Sequence, residues 1–297
     1  AHAAAAAADD EKIEVERCAH GVAMVRIEAT RRDPPGVLGR PALGPWAGCT
    51  TPRGQADRMR AMTNEATPGL ALVIGGTGGI GAALAHGLRT RGHEVLAVGR
   101  RTEPAVDYDR EHTVAYLAGQ VATRIERTGL PLRHLIVATG ILHEGAVQPE
   151  RSWAHLDAAA LQRLFLVNTI GPALVMRHFL PLLPRQGRCV AAFLSARVGS
   201  IGDNALGGWY GYRASKAALN QLVHTAAIEL ARRNKAALCV ALHPGTVDTP
   251  LSQPFAKTGL QVRPPEVAAQ ELLAVLDQLP PTANGHFFDH NGAPVPW

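Results

Sequence analysis

With 297 residues, 46% of them hydrophobic and 19% charged, the chain has a globular composition and room for one large α/β domain with an extension, or for two small domains. Four cysteines without CxxC spacing and 13 histidines without an HExxH-like set argue against a metal site. No apolar run approaches the roughly 20 residues of a membrane span, and the net charge of +5 bears on solubility, not on fold.

Neither a membrane nor a nucleic-acid partner is expected. Cys189 and Cys239 each open a strand-like apolar run, as buried free thiols of a reducing, cytoplasmic protein would.

Residues 1–69 read as an N-terminal extension, for the most part poorly ordered. The stretch 34–48, PPGVLGRPALGPWAG, is too rich in proline and glycine for a helix. Nine acidic residues between Asp9 and Glu65 speak against a transit peptide, which should be acid-poor. Short alternations such as 22–29, VAMVRIEA, suggest a strand or hairpin.

The main domain is expected over 70–297. It opens with an apolar run, Leu70–Ile74, followed by glycines at 75, 76, 78, 79 and 81 and a helix-forming stretch that ends at Gly92. Gly75 permits a tight turn, Gly79 lets backbone approach a diphosphate, and Gly81 lets the helix lie close to the strand. The helix N-terminus then offers its free N–H groups to phosphate. Thr77, Gly78 and Ile80 belong to the same cofactor-binding turn.

A second strand, 94–99, completes a βαβ start. Where an NAD site places a carboxylate for the ribose, this chain has Arg100 and Arg101, so NADP(H) is favoured over NAD(H).

Helical stretches then alternate with short apolar ones: a helix over 114–128, a strand over 134–140, a long helix over 152–182 and a strand over 189–195. After these come a helix over 212–233, a strand over 237–243, a helix over 264–279 and a strand over 286–289. This order predicts a doubly wound parallel sheet, a Rossmann fold, with ligands beyond the C-terminal strand edges.

Tyr212 and Lys216 are four apart and share a helix face. A nearby ammonium stabilises a phenolate, so the pair can act as a proton handle, and Lys216 can also bond the nicotinamide ribose. Ser195, ending a strand, is the first candidate to bond the substrate oxygen, with Ser200 the alternative. Asn168 is expected to hold a water in a proton path behind Lys216. In the turn 244–249, Pro244 and Gly245 bend the chain, and backbone near Val247 together with Thr249 would meet the cofactor. Leu142, His143, Phe193, Trp209 and Leu251 are expected to line an apolar pocket, covered by 251–263.

These motifs resemble the short-chain dehydrogenase/reductase family. The glycine pattern stands as IGGTGGIG (74–81), the turn after the third strand as Ala138, Thr139 and Gly140, the asparagine as Asn168, the YxxxK pair as Tyr212 and Lys216, and the PG motif as Pro244–Gly245 with Thr249. The stretches SARVGSIGDN, GGWYGYRASKAALN and FFDHNGAPVPW resemble the C-factor-like and sniffer-like branch, whose members are carbonyl reductases or signalling proteins.

The resemblance implies hydride transfer between NADP(H) and a small carbonyl or alcohol, in a homodimer or homotetramer. Its rival is a catalytically weak dinucleotide-binding signalling or scaffold protein. Two departures stand out. SARVG places Ala196 where the family has its catalytic serine, and no acidic residue appears near Leu117–Gln120, where one is expected for adenine.

Overall fold

The computed structural model describes residues 13–17, 23–27, 68–255 and 262–297. The chain divides into two units, 1–62 and 63–297. In the first, strands β1 (Ile13–Arg17) and β2 (Ala23–Ile27) pair antiparallel, with Ile13 opposite Ile27. The alternation in 22–29 thus forms the second arm of a strand pair. The remaining expectations for 1–69 fall almost entirely outside the described residues.

The second unit is built on six parallel strands: β3 (Leu70–Ile74), β4 (Glu94–Val98), β5 (Leu132–Val137), β6 (Cys189–Leu194), β7 (Ala237–His243) and β8 (Phe287–Asp289). They lie in the order β4-β3-β5-β6-β7-β8. The connecting helices are α1 (Gly79–Thr90), α2 (His112–Thr128), α3 (Ala158–Phe165), α4 (Gly171–Phe179), α5 (Tyr210–Arg233) and α6 (Pro265–Gln278).

Strand residues alternate between two cores, as the period of two demands. Leu70, Leu72 and Ile74 pack under α2, α4 and α5, while Ala71 and Val73 pack under α1 and α6. Both faces are covered, which is why these strands read as unbroken apolar runs.

Two features depart from expectation. Leu117–Gln120 lie inside α2, so no adenine-contacting loop passes there. Acidic residues after the edge strand β4 stand earlier, at Glu103 and Asp107, in a loop tied to that strand by the Val106 N–H donating to the Gly99 carbonyl at 3.0 Å.

The second departure is the helical rod 158–182. It is long and apolar enough, by length and composition, to cross a membrane, although the run looked too short when read as sequence. In the fold it packs as a core helix, with Leu164, Asn168, Val175, Met176 and Phe179 buried.

At the strands' N-terminal edge, opposite the crevice, His134 and His93 meet edge to face with centroids 4.6 Å apart. Burial, then the neighbouring His93, lowers the His134 pKa from 6.5 to about 3, and burial lowers His93 as well. The unfolded chain therefore takes up protons first as pH falls below 6.5, and stability drops. We expect His134 alone to remove about 1.4 kcal/mol per pH unit as pH falls from 6.5 toward about 3. His134→Leu should flatten the dependence of melting temperature on pH in that window, and an unchanged slope would refute this account.

Candidate active site

Strand order reverses at β3, since the chain goes next to β4 on one side and then to β5 on the other. This switch point opens a crevice at the C-terminal strand ends. The glycine turn sits there. Gly75 has φ +84°, and the N–H groups of Gly75 and Gly76 donate to the Val98 carbonyl at 2.8 and 2.9 Å.

The N-terminus of α1 has no side-chain cap, unlike α3, where the Asp157 carboxylate accepts from the Ala160 N–H. The first-turn N–H groups of α1, at Gly79, Ile80 and Gly81, are thus left for an external acceptor. Thr249 packs close to Gly79, where a Cβ would meet its methyl at 3.0 Å. The turn after β7 therefore reaches the mouth of α1. Thr77 leans over Gly99 in the same way, and Gly78 is exposed.

Beyond β4, Arg100 and Arg101 are exposed. Arg100 Nη1 pairs with Glu144 Oε1 at 3.2 Å, bridging the loops after β4 and β5. With the Arg100 side chain 66% exposed, the pair is a weak, exchangeable one. Arg163 holds the other oxygen of Glu144 at 2.7 Å. After β5, the Ala138 N–H donates to the Ile74 carbonyl at 2.7 Å, and Thr139 Oγ1 is 3.0 Å from the Tyr108 hydroxyl.

Asn168 sits in a single π-helical turn, Leu166–Ile170, between α3 and α4. Such turns mark functional sites often. Its side-chain oxygen accepts from the Ile141 N–H at 2.8 Å, and its nitrogen donates to the Ile141 carbonyl at 2.9 Å and to Ser215 Oγ at 3.1 Å. The side chain is therefore a strap between the loop after β5 and α5. Gly140 lies where a Cβ would come within 3.3 Å of Lys216 Nζ and 3.4 Å of Asn168 Oδ1.

Tyr212 and Lys216 stand one turn apart near the start of α5, both buried. Lys216 Nζ donates to the Leu194 carbonyl at 2.9 Å and lies 6.0 Å from the centre of the Tyr212 ring. Burial lowers the lysine pKa from 10.5 to about 8 and raises that of the phenol above its ordinary 10. The expected lowering of the tyrosine is not found here. Desolvation outweighs an ammonium that points at a backbone carbonyl.

Sequence reasoning missed the anchor of this helix. Gly207, Gly208 and Trp209 are three successive left-handed residues, φ +64°, +66° and +54°. Glu150, 3% exposed, holds them. Its carbonyl accepts from the Trp209 N–H at 2.6 Å, and its carboxylate accepts from the Gly211 N–H at 3.1 and 3.2 Å. A buried carboxylate is stabilised at a helix N-terminus. The Gly-Gly pair signalled a turn, but nothing local pointed to a partner 61 residues away.

The hydroxyls of both candidate serines have partners other than Tyr212. Ser195 Oγ donates to Asn220 Oδ1 at 2.6 Å, and Ser200 Oγ accepts from the Asp203 N–H at 3.1 Å. Leu142, Trp209 and Leu251 do gather around Tyr212, together with Leu164, Ala196 and Val198. His143 Nε2 lies 3.2 Å from the Pro250 carbonyl.

Phe193 is a correction. It points into the sheet core and is fully buried, because alternation along β6 turns it away from the crevice. Pro244 and Gly245 form the expected bend, with Gly245 at φ +74°, and the Val247 N–C=O segment bridges in parallel to Arg263. Residues 256–261 of the expected cover lie outside those described.

The short chain dehydrogenase family model matches residues 69–259. The chain belongs to this family. Among its relatives, a 1-hydroxy-2-glutathionyl-2-methyl-3-butene dehydrogenase from a Rhodococcus strain is 30% identical over 76% of this chain and 98% of its own. The C-signal protein of Myxococcus xanthus is 37% identical over 48% of this chain and 81% of its own. A carbonyl reductase of Pseudomonas aeruginosa, solved in complex with NADP, superposes with a TM-score of 0.60 at 26% identity, over 78% of this chain and all of its own.

Proposed function

We propose that this dehydrogenase reduces a small carbonyl compound with NADPH, or runs the reverse oxidation, using Tyr212 as general acid or base. The observation that carries the reading is the buried Tyr212–Lys216 pair, set one turn apart beside Gly140 and Asn168 at the C-terminal ends of β5 and β6. The NADP complex of the Pseudomonas relative supports the choice of cofactor.

The crevice fits a dinucleotide diphosphate. The uncapped first turn of α1 and the glycines, where added side chains would collide, form the cradle. Gly75 to Gly81 would hold the diphosphate, Arg100 and Arg101 the 2′-phosphate, Ala138 to Gly140 the adjoining sugar, and Pro244, Gly245, Val247 and Thr249 the nicotinamide end. When bound, the cofactor supplies a hydride to the carbonyl carbon and becomes oxidised. Tyr212 gives its proton to the carbonyl oxygen. Lys216 bonds the nicotinamide ribose and, as a cation, stabilises the phenolate left behind. Asn168 positions the loop after β5 against α5.

The rival, a dinucleotide-binding signalling or scaffold protein, gains support from one observation: Ser195 is engaged elsewhere. An NADPH-oxidation screen over aldehydes, ketones and quinones separates the two. Turnover supports the enzyme, and binding of NADPH without any turnover would decide for the scaffold. Arg100→Ala should lower the preference for NADPH over NADH about tenfold, since a hydrogen bond to a charged group is worth roughly 1.5–3 kcal/mol. An unchanged preference in fluorescence titration would remove Arg100 from the phosphate site.

We further propose a cytoplasmic location, in keeping with the buried free thiols Cys189 and Cys239. Assembly as a homodimer or homotetramer is supported by the exposed Trp153, Leu156 and Ile170. Light scattering of the purified protein tests the latter.

A further inference from the structure

Two hydroxyls follow β6, and both have structural work. Ser195, 5% exposed, remains on the sheet ladder, its N–H donating to the Leu242 carbonyl at 2.8 Å. Its hydroxyl proton goes to Asn220. Asn220 lies eight residues beyond Tyr212 on α5, which is about 12 Å along a helix axis. Ser200, 2% exposed, closes the turn that leads to Asp203.

The residue next to Ser195 faces elsewhere. Successive side chains of an extended segment point to opposite sides, and Ala196 is extended, with φ −145° and ψ 143°. With Ser195 turned to the middle of α5, Ala196 joins the cluster that contains Tyr212, Leu142 and Leu164. Val198, Trp209 and Leu251 pack against the same cluster. The side chain that this segment adds to the Tyr212 cluster is a methyl group.

Resting on the carbonyl-reductase reading above, we propose that Ala196 is a specificity-determining residue. The substrate oxygen is held by the Tyr212 phenol without a serine hydroxyl beside it. In reduction the carbon gains a hydride from the nicotinamide, the C–O π bond breaks toward oxygen, and that oxygen takes the Tyr212 proton. Negative charge grows on the oxygen before the proton arrives, and a positioned donor there is typically worth about 10²–10³ in rate.

A site short of one donor must find that stabilisation in the substrate. It therefore selects electron-poor carbonyls, such as vicinal diones and aryl aldehydes or ketones with withdrawing substituents, over dialkyl ketones. The apolar side chains around Tyr212 suit the same compounds.

The test is a series of para-substituted acetophenones, reduced with NADPH by the full chain. For the unaltered protein, log kcat/KM should rise steeply with electron withdrawal. Ala196→Ser should raise kcat/KM of the electron-rich members about tenfold or more and flatten that slope. Ala196→Gly, which changes the space without adding a donor, should leave the slope steep. Ser195→Ala should lower the melting temperature, through loss of the Asn220 bond, with the slope kept.

Equal slopes for Ala196→Ser and the unaltered protein would overturn the assignment while leaving carbonyl reduction standing. So would a loss near 100-fold in kcat for Ser195→Ala at unchanged melting temperature. Absence of turnover in every variant that still binds NADPH would end both the assignment and the function it rests on.

Discussion

Tyr212→Phe should lower kcat for carbonyl reduction by about 10²- to 10⁴-fold, the range of a positioned general acid, while NADPH binding changes by less than about twofold. The substitution removes one oxygen and leaves the ring. That ring packs edge to face on Trp209, with centroids 6.3 Å apart, and shares its cluster with Leu142 and Leu164, so folding should survive. Lys216 keeps its bond to the Leu194 carbonyl, because in this fold its ammonium does not depend on the phenol. Single-turnover NADPH oxidation, read beside a binding titration, separates a lost proton donor from a lost cofactor site. Undiminished reduction by a correctly folded mutant would end the assignment of Tyr212.

Burial moves both members of the pair, Tyr212 and Lys216, toward their neutral forms, the phenol upward and the amine down to about 8. A phenol that keeps its proton at neutral pH has one to give in reduction, and takes one back in the reverse oxidation. Lys216 is the more sensitive member. As pH rises through about 8 it loses the charge that stabilises the phenolate, so reduction should decline on the alkaline side of that value.

How much of this was legible follows from how local each signal is. The six parallel strands stood out because a strand buried on both faces needs an unbroken apolar run. Gly75 and Gly81 were legible because a tight turn and a helix pressed onto it each exclude side chains. The YxxxK pair needed only a helical turn.

What failed to show was directional or long-range. Period two says that Ser195 and Ala196 face opposite ways, but only the packed helix decides which of them meets Tyr212. Phe193 was misassigned to the pocket for the same reason. The π turn around Asn168 runs directly into Gly171 and Pro172, a local mark of an interrupted helix that an unbroken helix over 152–182 passes over. The acidic residue expected near Leu117–Gln120 is absent there because the segment after β4 forms a loop in place of a strand, and 117–120 lie inside α2. That loop puts Asp107 close to Gly99. Glu150 anchors α5 from a distant loop, and no spacing rule reaches it.

The cradle itself yields the sharpest structural prediction, through two glycines that bound the same helix. A Cβ at Gly81 would fall on the Gly75 carbonyl oxygen and crowd Gly76 Cα at 3.2 Å. These are backbone atoms, and they are pinned, since Gly75 and Gly76 both donate to the Val98 carbonyl. Gly81→Ala must therefore lift α1 off the turn and misdirect the N–H groups meant for the diphosphate. We expect a cost of about 1–3 kcal/mol in stability, as for other overpacked sites, and a loss of NADPH affinity of about 100-fold, since charge-assisted bonds to phosphate fail with small displacements. At the other end of α1, Gly92 has φ +82° but open space where a Cβ would go. Gly92→Ala meets backbone strain alone, about 1 kcal/mol, and should bind NADPH normally. Calorimetric titration of the two variants thus distinguishes a phosphate cradle from a merely tight turn, and normal NADPH affinity in a folded Gly81→Ala protein would place the diphosphate elsewhere.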